Sequence, residues 1–464
     1  MELERSYRII PLSKMAEAQR PFKVLIVGGS VAGLTLANVL ERGGIDFELF
    51  EKREVAPQLG QSILLLPCTL LVHEQLGIDK PTHEVGIPIG DREHWDHKGN
   101  LFCSSDELIR LQKVSADQNQ SQKRPVYFID RKAYLDNLYN GLSESSKSKI
   151  HAHEGLDSFS EHENGVTLRT DKGNVIEGSI IVGADGVHSR VRQQTAQLLK
   201  AIDPKTSEIM AAGFNSRYRI LTCTSRNYFV DDPKKQFLKD GVIANSYYPE
   251  HGVGGLIAAG MDGKVFWAIY IANKKKMSHP SPRYGQADMD EAIKQWGHLH
   301  VTPNFTFNDL WANLVGSTMV GMEEGVLARK WHSGGRTVLV GDAVHKATAN
   351  LGLGGNLCVD DVCCLVNGLH TLLERNKSPT TAEIVKVFEN YERIERPRAD
   401  FVCKASGVYA GFETMSRWYS KLFQFIFPWI PSTFKMRIFS SFDSSAPILD
   451  FLPIPEPRLA NLKA

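Results

Sequence analysis

The sequence predicts an α/β fold in which a parallel sheet is interleaved with a mostly antiparallel sheet and followed by a helical C-terminal region. Residues 23–50 run from an apolar strand through a glycine turn and an apolar helix to a second strand, which makes a βαβ unit. Two further strand-like runs, at 174–183 and 337–340, lead into glycine. From about 205 to 330 helical patterns thin out, and runs such as VFWAIYIA (265–272) indicate antiparallel strands.

The length of 464 residues suits two domains, interleaved or sequential. We expect residues 22–200 and 320–400 to form one discontinuous domain that contains the βαβ unit. Residues 201–319 are predicted to form the second sheet, and 401–464 a helical, aromatic C-terminal tail.

The composition is that of a soluble globular protein, with 42% hydrophobic and 23% charged residues. A formal net charge of +1 gives no global field that would favour nucleic acid. The first 20 residues lack the apolar core of a secretory signal, and no uncharged apolar run reaches 18 residues. The seven cysteines are odd in number and irregularly spaced, which favours free thiols in a reducing compartment. We therefore expect a cytoplasmic protein, and nothing in the pattern fixes its oligomeric state.

The turn after the first strand reads GGSVAG and resembles the dinucleotide fingerprint G-x-G-x-x-G. Gly28 and Gly33 match, while Ser30 stands at the second glycine, where its small hydroxyl can donate to phosphate. The helix start offers free N–H groups to a diphosphate. Glu51 ends the next strand, at the place of the carboxylate that binds ribose hydroxyls. The alternative is a structural turn with a surface charge, but this context favours dinucleotide binding.

Residues 180–192 read IIVGADGVHSRVR, a strand that runs into Asp185. Ligands of open α/β sheets bind at the carboxyl ends of strands. Taken alone, this segment favours an ordinary Asp-Gly turn.

Residues 337–356 read TVLVGDAVHKATANLGLGGN. Asp342 follows the strand and suits a ribityl hydroxyl. The helix start at Gly355 and Asn356 suits the pyrimidine end of a flavin, where negative charge gathers on reduction. For His345 we favour a loop histidine without a catalytic task.

The three motifs, in this order, resemble the flavoprotein hydroxylases related to para-hydroxybenzoate hydroxylase over about 22–400. The resemblance implies FAD held by a Rossmann-type domain beside a substrate-binding sheet. It implies that Glu51 binds ribose, that Asp185 lies near flavin and NADPH, and that the flavin is lined by Asp342, Gly355 and Asn356. Arg131, in IDRKAYL (129–135), matches an arginine that contacts FAD in this family.

Several stretches resemble more closely the fungal epoxidases of indole-diterpene, meroterpenoid and prenylated indole-alkaloid pathways: GGSVAGLTLANVLERGGIDFELFEKR (28–53), NDLWAN (308–313), Trp331-His332 and GDAVHK. In that group a glycine-containing loop lies beside the flavin, here Gly60 to Leu64. Leu64, Ala349 and Leu353 stand where the group often has glycine, proline and glutamine.

The resemblance implies a monooxygenase. NADPH reduces FAD, the reduced flavin activates O2, and one oxygen atom passes to an electron-rich C=C bond of a bulky natural product. That substrate is a prenylated indole alkaloid, with or without rearrangement to a spiro-oxindole, or a terpenoid. The sequence has no second G-x-G-x-x-G on a strand–helix unit, because residues 252–255 favour a hairpin turn, so NADPH is expected only as a transient co-substrate.

Two residues are predicted to be catalytic. By similarity Arg192 points toward flavin and substrate, where its permanent charge can stabilise the hydroperoxide, or where it can help to protonate the oxygen of an opening epoxide as part of a hydrogen-bonded relay. Its alternative role is a salt bridge to FAD or to Asp185. Tyr218 matches a tyrosine of the substrate sheet and can donate to the same oxygen, whereas the alternative is an ordinary sheet tyrosine.

Other readings remain open. An aromatic-ring (phenol) hydroxylase carries the same three motifs, and a non-catalytic FAD-binding regulator is an alternative of another class. The paired histidines at 94–97 and 151–153 lack a matching ligand set, so no metal is expected. The aromatic segment 418–434 is either a membrane-surface segment or a helix and loop that covers the domain seam, and its prolines favour the second.

Overall fold

The computed structural model describes residues 21–56, 62–114, 124–232, 234–260, 262–277 and 280–455. The strands are β1 Lys23–Val27, β2 Asp46–Glu51, β3 Ser62–Leu65, β4 Ile87–Pro88, β5 Arg92–Trp95, β6 Leu101–Ser105, β7 Tyr127–Asp130, β8 Ile150–Ala152, β9 Leu156–His162, β10 Gly165–Thr170, β11 Val175–Gly178, β12 Ile180–Gly183, β13 Asn215–Arg226, β14 Ile243–Tyr248, β15 Val253–Ala259, β16 Lys264–Met277, β17 His300–Thr302, β18 Phe305–Thr306, β19 Leu314–Val326, β20 Thr337–Leu339 and β21 His345–Lys346.

The helices are α1 Val31–Arg42, α2 Pro67–Leu76, α3 Asp79–Val85, α4 Glu107–Val114, α5 Arg131–Asn140, α6 Glu144–Lys147, α7 Arg190–Leu199, α8 Pro204–Ala212, α9 Gln286–Trp296, α10 Phe307–Ala312, α11 Gly354–Arg375, α12 Thr381–Glu413, α13 Ser420–Ile426 and α14 Ser432–Ser444. Short 3₁₀ turns are formed by Gly341–Ala343, Ala349–Leu351 and Phe427–Trp429. Within the described ranges, none of these helices is both long and apolar enough to cross a bilayer.

The first sheet is parallel, with strand order β20-β12-β1-β2-β8. Val24, Leu25 and Ile26 of β1 are fully buried, as expected for a central strand covered on both faces. The strand predicted over 174–183 is in fact two strands, because β11 pairs with β10 and β12 pairs with β1. The chain changes sheets at Gly178, where a Cβ would lie 2.5 Å from Leu25 Cγ.

The second sheet has eight strands in the order β21-β19-β13-β16-β15-β14-β5-β6 and is antiparallel except for the β5–β14 pair. It confirms the mostly antiparallel second layer. Strands β14 and β15 form a hairpin whose connection ends at Gly252, and residues 253–255 begin β15. Strands β5 and β6 lie within residues 22–200, which were predicted to form the first domain. The second sheet therefore includes strands from a part of the chain that the sequence pattern did not indicate.

Helices α11 and α12 are packed together and connect the layers. A capping box starts α12, since Thr380 Oγ1 accepts from Glu383 N and the Glu383 carboxylate accepts from Thr380 N at 2.8 Å. The helix continues past the expected tail boundary at 400 and ends at Glu413. The last residue of the helix, Glu413, therefore places its carboxylate beside β14 of the second sheet.

Candidate flavin and substrate site

A cavity of about 410 Å³ lies at the carboxyl ends of β1, β12 and β20, between the two sheets. Its lining brings together most of the residues that the motifs predicted. These are Gly28, Ser30, Glu51, Leu64, Arg131, Asp185, Asp342 and Gly355. Gly60 lies outside the described residues.

The glycine turn is required by close backbone contacts. Gly28 has φ +111°, and a Cβ on it would lie 2.4 Å from Ala184 O. A Cβ on Gly33, which is buried just outside the cavity lining, would lie 1.8 Å from Gly28 O. Helix α1 therefore starts directly against the turn, with its first N–H groups at the cavity wall. This cradle fits a diphosphate.

Glu51 is held in place by the same turn. One carboxylate oxygen accepts from Gly29 N at 2.7 Å and the other from Arg53 N at 2.9 Å. The carboxylate thus stands at the end of β2 beside the phosphate cradle. That position fits the binding of ribose hydroxyls.

Charged side chains surround the turn. Arg131 starts α5, and its Nη2 donates to Ser30 Oγ at 2.7 Å. Burial lowers the pKa of Arg131, although a guanidinium stays protonated. Lys346 forms an ion pair with Asp342. Burial opposes its charge, but the Asp342 carboxylate outweighs burial and raises the pKa of Lys346. The cations of Arg131 and Lys346 suit a diphosphate, and the carboxylate of Asp342 suits a hydroxylated linker.

Asp185 faces the cavity and also caps α7. Its carboxylate accepts from Ser189 Oγ at 2.5 Å, Arg190 N at 2.6 Å and Val191 N at 3.2 Å. Burial raises the pKa of Asp185. The neighbouring Gly186 has φ +77° and also lines the cavity.

The start of α11 approaches the cavity through Gly354 and Gly355. Asn356 is fully buried and acts one step behind them. Its Oδ1 accepts from Leu66 N at 2.9 Å and Thr69 Oγ1 at 2.8 Å, while its Nδ2 donates to Leu64 O at 2.8 Å. Asn356 therefore fixes β3 to the helix start.

Leu64 is accommodated by a second glycine. Gly352 has φ +67°, and a Cβ there would come within 2.7 Å of Leu64 Cβ. Leucine at 64 thus packs over the glycine-rich loop. Ala349 lines the cavity, whereas Leu353 is fully buried.

The two predicted catalytic residues lie elsewhere. The described residues that line the cavity do not include Arg192 or Tyr218. Arg192 is buried and donates to the carbonyls of Met210, Ala343 and Val187 at 3.2, 2.8 and 2.6 Å. Its guanidinium binds backbone oxygens instead of pointing into the cavity or pairing with Asp185.

Tyr218 belongs to an apolar cluster behind the cavity wall, with Ile220, Phe266 and Met322. A Cβ on Gly411 would lie 3.3 Å from the Tyr218 hydroxyl, so the ring packs against α12. This position agrees with the alternative of a sheet tyrosine, and its catalytic role stays a prediction.

His345 is buried and bound to Asp361. Its Nε2 lies 2.7 Å from Asp361 Oδ2, which also accepts from Gly341 N at 2.6 Å. The pair anchors the loop that carries Asp342, in agreement with a non-catalytic histidine. His94 is likewise buried, with Nδ1 2.7 Å from the Tyr247 hydroxyl, and burial lowers its pKa.

The half of the cavity that faces the second sheet is largely apolar. We call it the substrate chamber, and its lining is Phe128, Ile220, Ile243, Leu256, Phe266, Tyr270, Val320 and Met322. Most of these side chains come from strands of the antiparallel sheet. The sequence predicted that sheet but not which of its side chains face the flavin cradle.

A group of polar side chains, which we call the polar corner, lies at one end of the chamber and was not predicted from the sequence. It consists of Arg92, Asn245, Asn350 and Glu413. Arg92 Nη2 lies 3.0 Å from Glu413 Oε1, and its Nε donates to Asn245 Oδ1 at 2.8 Å. Asn245 Nδ2 donates to Glu413 Oε1 at 2.9 Å, and Asn350 Nδ2 donates to the other carboxylate oxygen. Burial raises the pKa of Glu413 to about 7, although Arg92 opposes this. Asn350 Oδ1 is buried and has no hydrogen-bond partner among the described residues.

Comparison with known proteins agrees with this geometry. A sequence profile of the FAD binding domain family matches residues 21–400. The FAD-dependent monooxygenase dpchE of Colletotrichum higginsianum is 31% identical over 444 residues, which cover 94% of this chain and 90% of that protein. The chain belongs to the FAD-dependent monooxygenases. The resemblance drawn from the three motifs is thereby confirmed, and FAD is the cofactor of this chain.

Another fungal relative of this monooxygenase is the FAD-dependent monooxygenase janM of Penicillium janthinellum. It is 31% identical over 396 residues, covering 84% of this chain and 77% of the relative. Among solved structures, HpxO of Klebsiella pneumoniae with FAD and uric acid superposes with a TM-score of 0.71. It shares 14% identity and covers 92% of this chain and 98% of its own. At that identity the likeness shows the fold, which confirms the predicted fold class.

Proposed function

We propose that this monooxygenase uses NADPH and O2 to transfer one oxygen atom to an electron-rich C=C bond of a bulky apolar natural product. Bound FAD would supply the activation of O2. The observation that supports this substrate class is the substrate chamber, where apolar side chains of the second sheet face the residues of the flavin cradle. Such a wall excludes water from the reacting atoms and binds a polycyclic skeleton through apolar contact.

The chain's own residues would hold both partners. Glu51 and the turn at Gly28 and Gly33 would bind the ribose and diphosphate, while Asp342 and the start of α11 would hold the ribityl and ring. Leu256, Phe266 and Met322 would orient the substrate skeleton. The resemblance of the motifs to fungal epoxidases favours a terpenoid or a prenylated indole in secondary metabolism.

The polar corner would fix the orientation of the substrate in the chamber. Asn350 lines the cavity and is oriented by Glu413, and its buried Oδ1 has no hydrogen-bond partner among the described residues. A buried acceptor without a partner is unfavourable, so a substrate N–H or O–H donor would relieve it. An indole N–H or a terpenoid hydroxyl meets this requirement.

Removing this acceptor should weaken substrate binding selectively. We expect Asn350→Leu to raise KM about tenfold for an alkene substrate that carries a hydroxyl or N–H donor, because one buried hydrogen bond is lost. A matched substrate without the donor is the control and should show little change in KM. Equal changes for both substrates would contradict the assignment.

The substrate class can be tested with the purified holoenzyme. NADPH oxidation would be followed with a prenylated indole, a terpenoid alkene and a simple phenol, and each product weighed by mass spectrometry. We expect one of the alkenes to accelerate NADPH use and to gain one oxygen atom. Acceleration by the phenol alone would favour the aromatic hydroxylase. Bound FAD that NADPH cannot reduce would favour a non-catalytic regulator.

A further inference from the structure

An exposed apolar surface follows the end of α12. It is formed by large side chains within residues 418–434, and we call it the tail surface. Its members and their exposed fractions are Trp418 89%, Leu422 60%, Phe425 75%, Ile426 41%, Trp429 81% and Phe434 58%. Scattered exposed hydrophobic residues are normal, but several large ones in one short segment mark an interaction site.

The tail surface is fixed from beneath. Phe412 and Phe427 are buried in a cluster with Tyr247, and their rings lie 5.4 Å apart. Ser420 Oγ donates to Gly411 O at 2.9 Å. The exposed side chains therefore project from an anchored element, and their exposure is not that of a frayed end.

Helical spacing places the exposed residues together. Leu422, Phe425 and Ile426 stand at i, i+3 and i+4, which share one face of α13. Trp429 follows at i+7, in the 3₁₀ turn after the helix. The apolar face is thus flanked by the two tryptophans that are exposed in the described residues.

The segment that carries the tail surface has charge of one sign, and the carboxylate that lies beside it, Asp106 next to Ser432, is paired with Arg110. Between Glu413 and Asp443 the sequence holds no acidic residue but four basic ones, namely Arg417, Lys421, Lys435 and Arg437. Lys421 and Arg437 are exposed, and the Arg437 guanidinium lies 5.9 Å from the Phe434 ring. Aromatic and aliphatic side chains beside basic groups are the composition that binds an anionic lipid surface.

We propose that the tail surface docks this monooxygenase onto the face of a bilayer that contains anionic phospholipids. Pro428 lies in the 3₁₀ turn after α13 and Pro431 caps the start of α14, so the segment consists of short helices and would lie in the interface and not span it. The sequence alone had favoured a cover for the domain seam. The structure instead points these side chains outward. Since Glu413 precedes the segment and closes the substrate chamber, docking would bring that corner of the cavity near the source of a lipophilic substrate.

Flotation of the FAD-loaded full chain with vesicles tests the proposal. We expect the protein to float with phosphatidylcholine–phosphatidylserine vesicles at low salt and to bind phosphatidylcholine alone more weakly. The triple variant Trp418→Ser, Phe425→Ser, Trp429→Ser should no longer float. The double variant Lys421→Ala, Arg437→Ala should bind the anionic vesicles roughly twentyfold more weakly.

Flavin content and thermal midpoint would show that the variants are folded. The matched control is Ile202→Ser, since Ile202 is 82% exposed outside the tail surface and should not affect flotation. Absence of flotation with either vesicle would overturn the proposal, as would unchanged flotation of the triple variant. So would a concentration-dependent dimer that the triple variant abolishes without any vesicle binding, because the tail surface would then bind a second copy.

Discussion

Single glycines determine how closely α1 approaches the parallel sheet. At Gly33 an added methyl would meet a backbone oxygen of Gly28, which cannot rotate away as a side chain can. This contact was predictable from the sequence, because the fingerprint prescribes a small residue there. The sequence also shows that Ser30 replaces the second glycine of the fingerprint, and in the structure Arg131 donates a hydrogen bond to its hydroxyl.

Gly33→Ala should therefore abolish flavin binding. The helix must shift to relieve the contact of 1.8 Å, and the phosphate cradle would shift with it. We expect the flavin-to-protein absorbance ratio to fall at least about tenfold, a change of ~1.4 kcal/mol or more in binding. Gly316→Ala is the control, since that position has open space and an ordinary φ. Full flavin content in Gly33→Ala would contradict the role given to the turn.

The contacts of Arg192 differ from the position that the family resemblance implies for it. Its hydrogen bonds to three carbonyls tie the start of α7 to Met210 in α8, to Ala343 in a 3₁₀ turn and to Val187. We expect Arg192→Met to lower the free energy of unfolding by ~3 kcal/mol, because buried carbonyls lose charged donors. The kcat per bound flavin should change by less than about twofold. Urea unfolding and turnover normalised to flavin measure both quantities.

A catalytic Arg192 would give the opposite result. Turnover per flavin would fall by about a hundredfold or more, while stability stayed near that of the wild type. Arg192→Lys serves as a second variant if Arg192→Met does not accumulate, because it keeps a charged donor.

The polar corner shows where prediction from the sequence ends. Arg92 and Glu413 lie 321 positions apart and meet only because β5 joins the second sheet and α12 crosses to it. Neither residue lies in a motif with fixed spacing. Asn350 was visible in the third motif, but its free oxygen depends on the contact with Glu413.

At the scale of elements, apolar runs predicted several of the strands, and the observed pairing divides one of those runs into two strands. The run over 174–183 looks continuous because both of its halves contain β-branched apolar residues, yet the chain changes sheets at Gly178, which lies against Leu25. A period-two pattern carries no information on which sheet a strand joins. For the same reason the sequence pattern did not indicate that residues within 22–200 would supply β5 and β6 to the second sheet.

The packing of α11 on α12 buries an acidic group that the flavin site does not use. Glu395 is fully buried, and neither carboxylate oxygen accepts a hydrogen bond from the described residues. Arg398 Nε lies 3.5 Å away, but its Nη2 binds Asp360. Burial, together with Asp360 and Asp361, raises the pKa of Glu395 to about 9.

This pKa predicts how stability depends on pH. The folded protein binds the Glu395 proton more tightly than the unfolded chain, whose value is near 4.5, so its contribution is lost as pH rises from about 4.5 toward 9. Glu395→Gln should remove that loss and gain stability relative to wild type by up to ~1.4 kcal/mol per pH unit. Thermal midpoints across this window test it, with the exposed Glu389→Gln on α12 as control. Parallel pH profiles for wild type and Glu395→Gln would contradict the assignment.

For the molecule as a whole, the site exists only between the two sheets. The parallel sheet supplies the flavin cradle, the antiparallel sheet supplies the substrate chamber, and α12 joins them. The motif residues line the first part of the cavity, because the motifs encode local turns, and their roles in flavin binding stay predictions. The chamber is built from residues far apart in the chain, so its shape follows from the fold alone.

The central claim is that the flavin site transfers oxygen to a substrate in the apolar chamber. Its most direct test is the single-turnover incorporation of isotope-labelled O2. The yellow holoenzyme would be reduced with NADPH, mixed with labelled O2 and a lipophilic alkene, and the product examined by mass spectrometry. We predict one labelled oxygen atom in the organic product and the other in water. Reoxidation of the flavin with all label recovered as hydrogen peroxide, for every alkene and phenol offered, would contradict the proposed oxygen transfer.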